Sequence, residues 1–343
     1  MLEDMDFSQK CLTNSLLYCI INRFENKRTA QKIFFAPVFV HERSEVVSGI
    51  YECVPNISEG RDPIVVAECV NAVSSIKGIT LMNYSSDVDH NRSVITFLGS
   101  AEAIEEAAVA LSKKTTELID LRLHKGEHPR VGALDVLPVV PLRNATAEDA
   151  IALSERIAER IWQENQVPCY LYEDSARYPH RKNLADVRRG EFEGLAEKTK
   201  DPEWIPDFGE GYHLSAGVTV VGARFFLIAY NFDLATSDIS IAKAIAKKIR
   251  QSNGGLPCVK ALGVILESEN VAQVTVNLTD YTVTPLWKLT EEVRALAIEY
   301  GTEVTSAELI GLVPMGALTD AAGHYLGIRD FDHKKRVIEE YLL

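Results

Sequence analysis

Apolar positions recur along the chain in two periods, and the changes of period mark the elements. Apolar runs of strand length fall at 51–55, 79–83, 93–98, 133–140 and 167–172. Between them, apolar residues three and four apart predict helices over 64–75, 101–121 and 146–165. Asp62 and Pro63 suit the cap and first position of the first helix, and Gly78 suits its end. Thr146 and Asp149 have capping-box spacing at the start of the third. The residues 56–60 read as a turn after the first strand. As far as 140 the order is β-α-β-β-α-β, with one more helix and strand behind it.

The last third repeats that order. It reads as a strand at 226–231, a helix from a cap at Ser237 or Asp238 to Gln251, and a hairpin of 261–267 and 272–278 about Glu269-Asn270. A helix over 285–300 and a closing strand in 302–312 complete it. Between the two repeats, 174–212 is irregular and polar, and 218–231 resumes strand character around Gly222. So long a connection in a compact protein is usually functional. The expected fold is α+β: two ferredoxin-like α/β sandwich subdomains, each a mostly antiparallel sheet with helices on one face. The boundary falls near 226, giving subdomains at 49–226 and 227–343. Residues 1–48 stand apart as an N-terminal extension of unknown role, with Glu3, Asp4 and Asp6 where a secretory signal would carry positive charge.

Composition narrows the function. With 46% hydrophobic residues in 343, a substantial core is feasible. The formal charge of −13 argues against nucleic-acid binding and against adhesion to anionic membranes. An anionic substrate would therefore need a local basic pocket. Six scattered cysteines without a C-x-x-C pair fit reduced thiols and a cytoplasmic setting. No apolar run reaches the roughly 18 residues of a membrane span.

The densest reactive stretch is His124-Lys125-Gly126-Glu127-His128-Pro129-Arg130. Gly126 and Pro129 make it a loop, and the strand behind would hold it at a sheet edge. Its two histidines, glutamate, lysine and arginine can carry protons and bind anions. Composition alone equally allows a solvated turn with its charges in water. His124 and His128 lie four apart but cannot share a helix face here, and no third ligand cluster accompanies them, so no metal is expected.

Several motifs then align with one known group. They are 52–60 (Glu52-Cys53-Val54-Pro55-Asn56-Ile57-Ser58-Glu59-Gly60), Asn91-Arg92-Ser93-Val94, the loop 124–135, and Tyr170-Leu171-Tyr172. Trp204-Ile205-Pro206-Asp207-Phe208-Gly209, Gly222-Ala223-Arg224, 226–231 and Gly311-Leu312-Val313-Pro314 continue the series. In these the chain resembles the formiminotransferase domain of the formiminotransferase-cyclodeaminase family, from about residue 51 to the end. The resemblance leaves out 1–48 and leaves no room for the helical cyclodeaminase domain.

It implies transfer of a formimino group from N-formimino-L-glutamate to the co-substrate tetrahydrofolate, in histidine degradation, by a homodimer. It makes His128 the catalytic histidine. It makes Gly209, Glu210, Gly211, Tyr212, His213, Leu214, Ser215, Ala216 and Gly217 the folate-contacting segment. This chain departs from the family wording over 211–216, and its loop 85–90 differs in spacing from the animal enzymes.

The chemistry assigns the other candidates. The donor carbon is an amidine, cationic when protonated, so Asp89 and Glu127 are candidates to stand near it; solvent-facing acids are the alternative. Asn91 is a candidate to orient the amidine or to hold its own turn. Arg92, Lys125, Arg130 and Arg224 are candidates for the substrate carboxylates. The run Arg177, Arg181, Lys182, Arg188 and Arg189 is either a lining for a polyglutamylated folate tail or a solvated basic loop. Tyr172, Trp204, Phe208 and Tyr212 are candidate walls for the pteridine, in a cleft between the sandwiches. Formyl transfer from 5-formyltetrahydrofolate, and folate binding without catalysis, are the competing functions.

Overall fold

The computed structural model describes residues 49–341 apart from 89, 127, 128, 267 and 268. The extension 1–48 and the site candidates Asp89, Glu127 and His128 lie outside the described residues.

The first sheet holds β1 (Ile50–Cys53), β2 (Asn56–Ile57), β3 (Thr80–Asp87), β4 (Arg92–Ser100), β5 (Leu134–Arg143), β6 (Cys169–Leu171) and β7 (Thr219–Ala223). β1 and β2 follow one another in a single slot, each pairing antiparallel with β4 on one side and β5 on the other. The ladder breaks between them at Pro55, which has no N–H to give, although its carbonyl still accepts from Ile95 N. Asn56 and Ile57, which looked like a turn in sequence, are therefore strand. β3 adds antiparallel to the outer side of β4. On the far side, β7 and then β6 extend the sheet in parallel beyond β5.

Three helices cover one face of this sheet: α1 (Pro63–Ser74), α2 (Ala101–Leu118) and α3 (Ala147–Asn165). Each starts where local chemistry dictates. The Asp62 carboxylate accepts from Ile64 N and Val65 N, Ser100 accepts from Ala103 N, and Thr146 and Asp149 close a full capping box. Cys53, Ile57, Ile95, Phe97, Leu137 and Val139 meet Ile104, Leu111, Leu153 and Ile157 in a core without solvent access.

The second sheet holds β8 (Ile228–Leu234), β9 (Val259–Leu266), β10 (Val271–Leu278) and β11 (Val304–Ile310), in the order β11-β8-β10-β9, all antiparallel. Its helices are α6 (Ile239–Ile249), capped by Asp238, and α7 (Leu286–Glu299). They bury Phe232, Val274, Leu278, Ile245 and Leu289 in a separate core. This is the expected βαββαβ unit, and with the first sheet it gives the α+β architecture read from sequence.

Three details differ. β8 starts at Ile228 rather than 226, because 224–227 is irregular chain crossing from one sheet to the other. The stretch 174–212 holds two helices, α4 (Leu184–Val187) and α5 (Glu191–Lys198). A further helix, α8 (Met315–Tyr325), follows Pro314 and was not foreseen.

Candidate functional site

The helices cover one face of each sheet, and residues of the other faces line a cleft of about 1030 Å³. One side is a row of cross-strand neighbours, Ser85, Val94, Asn56 and Val136, from β3, β4, β2 and β5. Facing it is a second row, Ile310, Ala229, Asn277 and Lys260, from β11, β8, β10 and β9. The crossing Arg224, Phe225, Phe226 and Leu227 also lines the space. The walls mix aliphatic and aromatic side chains with polar and charged ones, and two gatherings of charge stand out.

The first gathering is built on Asp135, which has no solvent exposure. Its carboxylate accepts from Arg92 Nη1 at 3.0 Å, Arg188 Nη2 at 2.5 Å and Val131 N at 2.8 Å. Burial by itself would raise this carboxyl; Arg188, Arg92 and the Val131 N–H outweigh it and hold it below the usual range. Burial draws the Arg92 guanidinium down to about 10, with Asp135 opposing the fall. Arg92 also donates through Nε to Asn56 Oδ1 at 2.8 Å. The second gathering is Glu52, Glu173, Arg224 and Lys260. Burial raises both carboxyls; Arg224 opposes the rise at Glu52 and Lys260 opposes it at Glu173.

Beside the Asp135 cluster stands the histidine loop, held by a set of local bonds. Asn91 sits at φ 49°, a left-handed conformation that asparagine tolerates. Its side chain accepts from Gly60 N at 2.9 Å and donates to the Lys125 carbonyl at 3.1 Å. Its own carbonyl meets His124 Nε2 at 3.0 Å. Arg130 Nε donates to His124 Nδ1 at 3.2 Å, so Nδ1 is the acceptor and Nε2 carries the proton. Burial, opposed by the Asn91 carbonyl and helped by Arg130, pushes the His124 imidazole below its ordinary value. Through Nη1 and Nη2 Arg130 also donates to Glu191, Glu193 and the His124 carbonyl.

Glycine is required where the loops touch. A Cβ on Gly126 would lie 2.3 Å from the His90 carbonyl oxygen, and one on Gly60 would lie 2.3 Å from the Asp87 carbonyl oxygen.

The sequence candidates therefore separate. Arg92 and Arg224 line the cleft, as does Pro129 next to the undescribed His128. Asn91 and Arg130 are engaged in holding the loop, and Lys125 is exposed outside the lining. None of the segment 209–217 lines the cleft. It braces the histidine loop from behind: Ser215 O accepts from Leu121 N, Ala216 O from Ala133 N, and Val218 N donates to Val131 O. His213 Nδ1 accepts from Ala216 N at 3.0 Å within that brace.

Of the aromatic candidates, buried Tyr172 lines the cleft, its hydroxyl pushed up to about 12 by burial. Trp204 packs on Tyr170 and His180, Phe208 lies under Arg177, and Tyr212 packs on Phe192. Phe225 and Phe226, passed over in sequence, supply the aromatic wall; two adjacent aromatics at a domain crossing were the available signal.

The basic run divides as well. Arg177 pairs with Glu155, and buried Arg181 is locked to Asp207 and to the Glu203 and Ile205 carbonyls. Lys182, Arg188 and Arg189 reach the cleft. Asp135, 53 residues from Arg188, was also missed, because nothing local in sequence announces that pairing.

Among the described residues, no three His, Cys, Asp or Glu converge as metal ligands, and no helix is long and apolar enough to cross a membrane.

A two-sandwich α+β protein whose cleft carries a guanidinium pair has the concave, partly polar lining of a small-molecule site. Two family descriptions match the chain, the N-terminal subdomain of the formiminotransferase domain over residues 50–224 and the formiminotransferase domain over 229–341. The chain belongs to the formiminotransferase family.

It is 47% identical over 295 residues to a glutamate formimidoyltransferase of Streptococcus pyogenes, covering 86% of this chain and 99% of the relative. With the glutamate formimidoyltransferase of Thermoplasma acidophilum it shares 42% over 285 residues, covering 82% and 94%. The formimidoyltransferase-cyclodeaminase of Rattus norvegicus is 40% identical over 304 residues, 85% of this chain but 56% of that longer protein.

Proposed function

We propose that this chain moves the formimino group from N-formimino-L-glutamate to tetrahydrofolate, giving 5-formiminotetrahydrofolate and glutamate. The observation that carries the reading is the guanidinium pair over Asp135, set beside the histidine loop in a cleft large and apolar enough for a pteridine. The names of the relatives point to the same reaction.

The reaction forms a bond between the folate N5 and the formimino carbon, and breaks the bond from that carbon to the glutamate nitrogen. N5 loses a proton and the glutamate nitrogen gains one. One imidazole of near-neutral pKa can do both in turn. His124 has both ring nitrogens occupied by Asn91 and Arg130, which supports His128 as the shuttle. Asp89 and Glu127 are the acids next to the cationic amidine, and Arg224 is a partner for the folate carboxylates. Phe225, Phe226 and Tyr172 suit the flat ring system.

The test is a coupled assay supplying formiminoglutamate and tetrahydrofolate. His128→Ala should lower turnover by about 10²–10⁴ while folate binding survives. Turnover within a few-fold of wild type would remove His128 from the reaction. Offering 5-formyltetrahydrofolate instead separates formyl from formimino transfer.

The same reading places the protein in histidine degradation in the cytoplasm, as a homodimer, with subdomains meeting near 226 and residues 1–48 outside the catalytic region. Sedimentation equilibrium and a variant lacking 1–48 test the last points.

A further inference from the structure

At the cleft floor two guanidinium groups share one carboxylate. Arg92 and Arg188 both pair with Asp135, where charge is costly unless paired. A guanidinium offers five N–H donors. The one side-chain hydrogen bond of Arg188 among the described residues runs from Nη2 to Asp135, and its Nε is buried without an acceptor. Its side chain is 12% exposed and lines the cleft. Asp135 lies behind it with no exposure, so an arriving anion meets the two guanidiniums first. The nearby acid Glu191 is already engaged by Arg130.

We infer that Arg188, set beside Arg92 over Asp135, seats the α-carboxylate of the formimino donor. The inference rests on the reaction proposed above and follows from where the donor's charges are. The α-carboxylate is attached to the carbon that bears the departing nitrogen, so it must lie close to the reacting centre. The folate carboxylates are separated from N5 by the whole aminobenzoyl unit.

The Asp135 cluster is joined to the histidine loop directly. Its other oxygen takes the Val131 N–H, one residue beyond Arg130, and Arg92 adjoins Asn91, which holds the Lys125 carbonyl. A cation pair fixed to that loop belongs to the donor. Asp135 is a positioning residue: it sets the planes of the two forks so that the free edge of Arg188 faces the cleft.

The experiment compares two donors on the wild type and two Arg188 variants. Arg188→Ala should raise the KM for N-formiminoglutamate about 10- to 100-fold and leave that for tetrahydrofolate within about twofold. Arg188→Lys, with charge but no fork, should recover some of the loss. A donor whose α-carboxylate is a carboxamide should lose a similar factor against the wild type, and nothing further against Arg188→Ala. That non-additivity would not arise from a purely structural role.

The inference is overturned if the carboxamide is used as well as the natural donor, a measurement that needs no variant. It is also overturned if Arg188→Ala raises the folate KM as much as the donor KM. Failure of the wild type to transfer a formimino group at all would overturn the functional reading, and this inference with it. Transfer with unchanged donor KM overturns this inference alone.

Discussion

At the scale of the residue, the cleft depends on buried polar groups that stabilise one another. Asp135 is tolerable in the core because three donors surround it, and Arg92 and Arg188 are tolerable because they share it. Asp135→Asn would leave two adjacent guanidiniums short of their counter-charge. We expect it to cost about 3–5 kcal/mol in urea unfolding, the usual result of breaking one side of a buried pair. His124 makes a different prediction. Its imidazole sits below its ordinary 6.5 in the folded chain, first because of burial. A group depressed in this way contributes its full stability above 6.5 and loses it as pH falls through the folded value. His213, depressed by burial and then by Arg122, acts in the same direction. The unfolding free energy should therefore decline as pH drops below 6.5, and the slope should flatten in His124→Gln.

At the scale of the element, three loops are pressed together: 58–61 after β2, 87–92 before β4, and 124–133 before β5, with 213–218 behind the last. Gly126→Ala would drive a methyl group into the His90 carbonyl and push the second and third of these loops away from each other. Misplacement of about 1 Å near reacting groups costs on the order of 10² in rate, so kcat should fall by that much while the thermal midpoint moves little.

Sequence carried the elements whose signals are local. The Asp62 cap, the Thr146 and Asp149 box and the hairpin about Asn270 could be read because each is set by a few adjacent residues. It could not carry β2, two residues long, or the parallel pairing of β6 and β7, strands that were legible at 167–172 and 218–231 but that a crossover of many residues brings to the sheet. The site shows the same division. The loop 124–130 was visible as a cluster of reactive side chains, whereas the union of Arg92, Asp135 and Arg188 depends on contacts 43 and 53 residues apart.

At the scale of the whole molecule, two separate hydrophobic cores stand on either side of one binding space. Each sheet contributes a row of residues to that space, so a ligand filling it touches both. Tetrahydrofolate at 100 times its Kd should stabilise the folded chain by about 2.7 kcal/mol and draw the unfolding of the two cores into one transition. Two calorimetric peaks that ligand leaves apart would show that only one half holds it.

The passage from Arg224 to Leu227 is both the join between the halves and a stretch of the wall. A wall residue elsewhere can be exchanged to suit a new guest without altering how the halves are set. Here the two properties cannot be tuned apart. An engineer seeking a changed preference would do better to start from Asn83 and Ser85 on the outer strand of one sheet, or Ile310 on that of the other, and leave Phe225 and Phe226 as they are.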